Sequence, residues 1–244
     1  MVIVESLEEK KLKLLKEIHS DFPLIINLSN QKGGVGKSTL AYNIADAFRI
    51  LGFKVKLLDI DVQNTCSNLN NLREKAFRDI IKISDEKQLI EFINNSSSDG
   101  SEILVIDTGS LDSPLLRLAI IGSDINITPI SDRVTEILSL VQKYSQILVD
   151  IERDTNISTS THVILNKIHP FAKHFEHIEE IISYNPKMKI LKQIVRDRDI
   201  YDKSFIDGKT VFEASDLKGY EKASNDILSI CYELIEIHIN INKG

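Results

Sequence analysis

Residues 32–39 read Lys-Gly-Gly-Val-Gly-Lys-Ser-Thr, between an apolar run at Leu24–Leu28 and a helical period through Ala41, Ile44, Ala45, Phe48 and Leu51. A strand, a glycine-rich loop and a helix in that order constrain the fold more than anything else in the chain. Glycines let successive backbone N–H groups turn inward, and the helix N-terminus adds partial positive charge, so such a loop can cradle a polyphosphate. Gly33, Gly34, Val35, Gly36, Lys37, Ser38 and Thr39 are therefore the candidate nucleotide-binding residues. Lys37 is expected to neutralise the β- and γ-phosphates, and the Ser38 hydroxyl to ligand Mg²⁺.

Further apolar runs rich in Ile, Val and Leu lie at 55–60, 103–106, 125–130, 163–165 and 188–195. Each is short enough for a strand and none alternates strictly, which suits a parallel sheet covered on both faces. Helical periods separate them. Val134, Ile137, Leu138, Val141, Tyr144, Leu148 and Ile151 fall on one expected helix face, and Ala223, Ile227, Ile230, Leu234 and His238 on another. The pattern predicts a three-layer α/β P-loop fold, a mostly parallel sheet with helices on both faces. No linker divides it, so residues 23–244 read as one domain. Residues 1–22 read as a helical extension, opened by a Ser6–Glu9 capping box and ended by Pro23. The polar stretch 94–101 reads as a loop.

Composition excludes several classes. The chain has 244 residues, is 42% hydrophobic and carries a net charge of −6. No apolar run approaches the roughly 18 residues of a membrane span. Cys66 and Cys231 are too few for a disulfide framework. The acidic balance argues against a surface that coats nucleic acid all over.

Two strand ends deliver carboxylates. The second run ends in Asp59-Ile60-Asp61, and the third in Asp107. Acids at the carboxyl ends of parallel strands face the crevice where ligands bind. Mg²⁺ takes hard oxygen ligands and keeps several waters, so Asp107 is expected to hold it through water while Ser38 binds directly.

Gln31 stands where the ordinary phosphate loop has its first glycine, and Lys32 follows it. This K-G-G-x-G-K-[ST] form resembles the deviant Walker A motif of the ParA/MinD family of dimeric ATPases. The resemblance implies ATP and Mg²⁺ as cofactors and a homodimer closed by ATP. It also implies that Lys32 reaches across the interface onto the other subunit's nucleotide. Residues 59–63, Asp-Ile-Asp-Val-Gln, are similar to the family's D-x-D-P-Q, with Val62 in place of proline. By that resemblance the catalytic set is Lys32, Lys37 and Asp61, the last orienting the attacking water. Asp59 and Asp107 join Ser38 around the metal, residues 107–110 sense the γ-phosphate, and Asn166 reads the adenine edge.

Residues 194–198 and 208–213 resemble the C-terminal part of the partition ATPases, extending the likeness over about residues 24–234. Arg196 matches a position that in such proteins touches DNA without reading sequence, and Arg198, Lys218 and Lys222 join it as candidates. The same residues also fit a solvated face balanced by Asp197, Asp199, Asp216 and Glu221. The implied function is a cytoplasmic, nucleoid-associated DNA-partition ATPase of the ParA type. Its dimer would bind DNA non-specifically and hydrolyse ATP when a ParB-like centromere-binding protein stimulates it. The alternative is a MinD-like spatial regulator acting on a membrane or a protein scaffold. A membrane role would call for a basic amphipathic tail, and residues 235–244 carry one Lys among alternating Ile and polar residues. His174 and His177 read as a solvated helix face, and Cys231 as core.

Overall fold

A computed structural model describes residues 23–73, 79–95 and 102–242. The expected extension over 1–22 and most of the 94–101 loop lie outside them. Seven strands, β1 (Leu24–Leu28), β2 (Val55–Asp59), β3 (Ile80–Lys82), β4 (Ile103–Asp107), β5 (Ile125–Ile130), β6 (Thr161–Ile168) and β7 (Met188–Arg196), form one sheet in the order β3-β2-β4-β1-β5-β6-β7. Every pairing is parallel. The central strands β1, β4 and β5 are buried along their whole length. Continuous Ile, Leu and Val without alternation is what burial on both faces demands.

Helices α1 (Lys37–Ile50), α2 (Thr65–Asn71), α8 (Asp199–Phe205) and α9 (Tyr220–Asn242) contribute to one apolar core, built on Leu24, Ile26, Leu28 and Leu57 of the sheet. On the other face, α3 (Glu86–Asn95) and α4 (Pro114–Ile121) pack over Leu58, Leu104 and Ile106. There too α5 (Val134–Ser139), α6 (Ser145–Thr155) and α7 (Glu176–Ser183) cover Ile130, Val163 and Leu165. β1 and β4 pair Leu28 with Asp107, and β2 and β4 pair Asp59 with Asp107. Those registers bring the phosphate loop and both strand-end acids to one edge of the sheet.

The structure departs from two sequence expectations. β3 is a three-residue edge strand that no apolar run announced; its pairing with β2, not its own pattern, makes it a strand. The stripe from Val134 to Ile151 is not one helix face. A π-helical segment, Leu140–Tyr144, separates α5 from α6. Ile137, Tyr144, Leu148 and Ile151 are buried, while Val134 is 67% and Leu138 49% exposed. One wide turn shifts the angular phase of the residues around it, and periodicity alone cannot register that. By contrast, all five residues of the Ala223–His238 stripe are buried, and Cys231 is core.

Candidate functional site

The loop between β1 and α1 forms the floor of a cleft of about 630 Å³. Gly34 (φ 78°) and Gly36 (φ 93°) adopt left-handed backbone conformations that favour glycine. Gly36 is also the N-cap of α1, with no side-chain cap and no acid in the first helical turn. The helix end is thus left to an anion. Lys37 is buried and donates to Ser110 Oγ (2.8 Å) and to the Lys32 carbonyl (3.3 Å). Burial lowers its pKa, against the pull of Asp107 and Asp61. Ser110 falls inside the expected γ-phosphate switch, residues 107–110.

The strand-end acids take different surroundings. Asp59 is buried; its Oδ2 accepts from the Ser67 N–H (2.8 Å) and hydroxyl (2.7 Å), holding the first turn of α2. Asp107 is fully buried, and its Oδ2 accepts from the Cys66 thiol (3.2 Å). Burial, reinforced by the neighbouring charge of Asp59 and opposed by the Ser38 hydroxyl, pushes the Asp107 pKa up to about 7. In both residues Oδ1 is buried without a hydrogen-bond partner. The two orphaned carboxylate oxygens, with the Ser38 hydroxyl next to Asp107, are hard oxygen donors that fit Mg²⁺ and its waters. Asp61 lines the cleft, and its Oδ1 accepts from the Gln63 N–H (3.0 Å). A Cβ at Gly109 would lie 3.3 Å from that oxygen, so glycine lets the segment after β4 pass close to Asp61.

Lys32 does not line the cleft. Its Nζ lies 3.3 Å from Glu136 Oε1, with 36% of the side chain exposed. Glu136 Oε2 accepts from the Ser131 N–H (2.7 Å). Glu136 was missed by sequence reasoning, because nothing distinguishes one glutamate on a helical period from a solvated one. A second contact joins the same helical arm to the loop: the buried Tyr144 hydroxyl bonds Ser29 Oγ at 2.5 Å. The π-helical turn carries Tyr144 to that point.

Asn166, at 4% exposure, donates from Nδ2 to the Val35 carbonyl (2.7 Å). Next to it, Lys167 donates from Nζ to the Gly34 carbonyl (2.9 Å). Lys167 is a second residue that sequence reasoning missed; a cation directly after Asn166 at the end of a strand was the available signal.

The four basic candidates do not form one patch. Arg196 donates to the carbonyls of His169 (3.2 Å) and Ala172 (2.8 Å), and its guanidinium lies over the Phe175 ring. Arg198 is paired with Asp226 at 3.1 and 2.9 Å. Arg198, Lys218 and Lys222 line one shallow depression, together with Asp199, Lys203 and Glu221. Arg196 is not part of it. His174 is exposed and faces Glu176, and no group of three metal-binding side chains exists among the described residues.

Comparison with known proteins bears on the family and the fold. The family model described as the CobQ/CobB/MinD/ParA nucleotide binding domain matches residues 26–211. The sporulation initiation inhibitor protein Soj of Bacillus subtilis is 30% identical over 132 residues, covering 52% of this chain and 48% of Soj. The chromosome partitioning protein ParA of Caulobacter vibrioides is 46% identical over 43 residues, 18% of this chain and 16% of that protein. The matches thus span half or less of these relatives. Among solved structures, a plasmid partition protein from Borrelia burgdorferi B31 bound to AMPPNP superposes with a TM-score of 0.60 at 20% identity, covering 86% of this chain and 98% of that one. The MinD cell division protein of Aquifex aeolicus superposes with a TM-score of 0.64 at 19% identity, covering 88% and 97%.

Proposed function

The chain belongs to the family of CobQ/CobB/MinD/ParA nucleotide binding domains, and from that premise we propose that it is an ATPase of the ParA type that partitions DNA. The observation that carries the reading is its pair of lysines. Lys37 is buried and lines the cleft, while Lys32 does not line it and is paired with Glu136 with 36% of its side chain exposed. In this reading Lys32 serves a nucleotide bound by a second copy of the chain, within an ATP-dependent homodimer.

In this reading residues 23–244 act as one ATPase domain. The N–H groups of the loop and Lys37 hold the β- and γ-phosphates. Ser38 would ligand Mg²⁺ directly, with Asp107 through water and Asp59 in support, and the ion when bound would supply charge neutralisation on the phosphates. Asp61 orients the water that attacks the γ-phosphorus, and the bond to the bridging oxygen breaks, giving ADP and phosphate. Lys32, released from Glu136, adds positive charge to the partner's transition state. Asn166 uses its nitrogen on Val35, so its oxygen is the atom left to accept from an adenine amino group. Lys218 and Lys222, doubled by the dimer, contact DNA phosphates without reading bases. A ParB-like centromere-binding partner stimulates hydrolysis, and the protein works in the cytoplasm on the nucleoid. Among the described residues no helix is long and apolar enough to cross a membrane.

The test combines sizing chromatography with DNA and liposome binding. Asp61→Ala with ATP and Mg²⁺ is expected to elute as a dimer and to shift bulk DNA, and neither with ADP. A monomer at micromolar concentration would overturn the dimer, and ATP-dependent liposome sedimentation without DNA binding would overturn the partition role.

A further inference from the structure

The end of β6 reaches the outer side of the phosphate loop at two consecutive carbonyls. Asn166 Nδ2 donates to Val35 O at 2.7 Å and Lys167 Nζ to Gly34 O at 2.9 Å. In a trans peptide the carbonyl of one residue and the N–H of the next point in opposite directions. Holding the Gly34 and Val35 carbonyls toward β6 therefore turns the Val35 and Gly36 N–H groups the other way. Two successive N–H groups so aligned make half of an anion-binding nest before any anion arrives. Donation to a carbonyl also polarises the N–H of the same peptide, which strengthens it as a donor.

Three further observations fit a loop held from behind. A Cβ at Gly36 would overlap the Asn166 amide nitrogen, so the approach of Asn166 sets its own demand for glycine there. Lys167 adopts a left-handed backbone conformation (φ 57°), which a non-glycine residue keeps only where its surroundings hold it. Asn166 is buried, whereas Lys167 is exposed and lines the cleft, with its ammonium on the Gly34 carbonyl.

We propose that Asn166 and Lys167 are positioning residues for phosphate binding, which fix the loop's N–H groups by gripping its carbonyls. The inference rests on the nucleotide-site reading and assigns Asn166 a role that does not depend on the base. Lys167 acts on the phosphates through the loop rather than by touching the base or the metal.

Isothermal titration of the full chain with ATP and with tripolyphosphate, which has no base, separates the roles. Lys167→Met is expected to weaken both ligands by the same factor, roughly three- to tenfold for the removal of one hydrogen bond. Lys167→Arg, which keeps a donor and a charge, restores most of it. Asn166→Ala is expected to weaken tripolyphosphate by a similar factor, and ATP by that factor and more, the excess being its contact with adenine. A loss confined to ATP in either variant overturns the proposal, since that is the signature of a base contact. Unchanged affinity of Lys167→Met for both ligands overturns it too, and Lys167, being exposed, can be replaced without disturbing the core. If the wild-type chain binds neither ligand, the nucleotide reading itself falls and the positioning role with it.

Discussion

Single side chains at this site are held in place by competing partners, and Lys32 is the clearest case. Its ammonium is paired with Glu136, whose side chain is only 9% exposed. Burial works to raise the Glu136 pKa, but the Ser131 N–H, the Ser131 hydroxyl and Lys32 outweigh it, so the value lies below the usual carboxylate range. A carboxyl with a lowered folded pKa contributes stability above its unfolded value of about 4.5 and loses it as pH falls through the folded value. Wild type is therefore expected to melt above Glu136→Gln at pH 7, with the gap closing below about pH 4.5. Thermal melts across pH 3 to 7 check this, and a gap independent of pH would count against it. Lys37 offers a simpler test. Lys37→Ala removes the charge-assisted bonds to two phosphates, and ATP affinity should fall by roughly a hundredfold or more in equilibrium titration.

At the scale of elements, α2 is the piece that joins the acids to the rest of the fold. Asp59 holds its first turn through Ser67, and Cys66 in the same turn donates to Asp107. At its far end, the Leu69 carbonyl stands where a Cβ on Gly208 would fall. Ser67→Ala leaves the buried Asp59 carboxylate with one donor fewer, and the expected cost is about 1–3 kcal/mol. Urea unfolding should show it as a lower midpoint with an unchanged slope. The helix period from Val134 to Ile151 shows where element-scale reading fails. Apolar spacing placed Val134 and Leu138 on a buried face, yet the π-helical turn brings Tyr144 onto Ser29 and leaves them exposed. β7 was legible because its apolar run is long, and β3 was not, because three residues at an edge carry too little pattern.

For the whole molecule, the net charge of −6 means that any DNA affinity must come from local geometry and from doubling a small patch. Among the basic candidates, Arg198 is neutralised by Asp226 and Arg196 holds the 169–172 turn. Lys218 and Lys222 are exposed beside Glu221. Replacing both lysines by Ala is expected to lower ATP-dependent DNA affinity uniformly across sequences. It should also flatten the salt dependence by about one unit of slope for each DNA phosphate no longer neutralised. Arg196→Ala is expected to act on stability more than on that slope. Gel shifts at several salt concentrations decide, and a slope reduced by Arg196→Ala alone would move the DNA surface to the end of β7.

The sequence by itself determined the α/β class, the phosphate loop, Lys37 and the acids at the strand ends. Those depend on local chemistry, glycine conformation and period, all of which are written within a few consecutive residues. Tertiary structure alone decided that Lys32 rests on Glu136, 104 positions away. It also decided that Asn166 and Lys167 grip the loop from 131 and 133 positions away, and that Arg196 and Arg198 part company. Each of those outcomes is a choice of partner across the sheet. One lysine or arginine has many carboxylates and carbonyls to choose from, and only the packed chain brings a particular one within hydrogen-bonding distance.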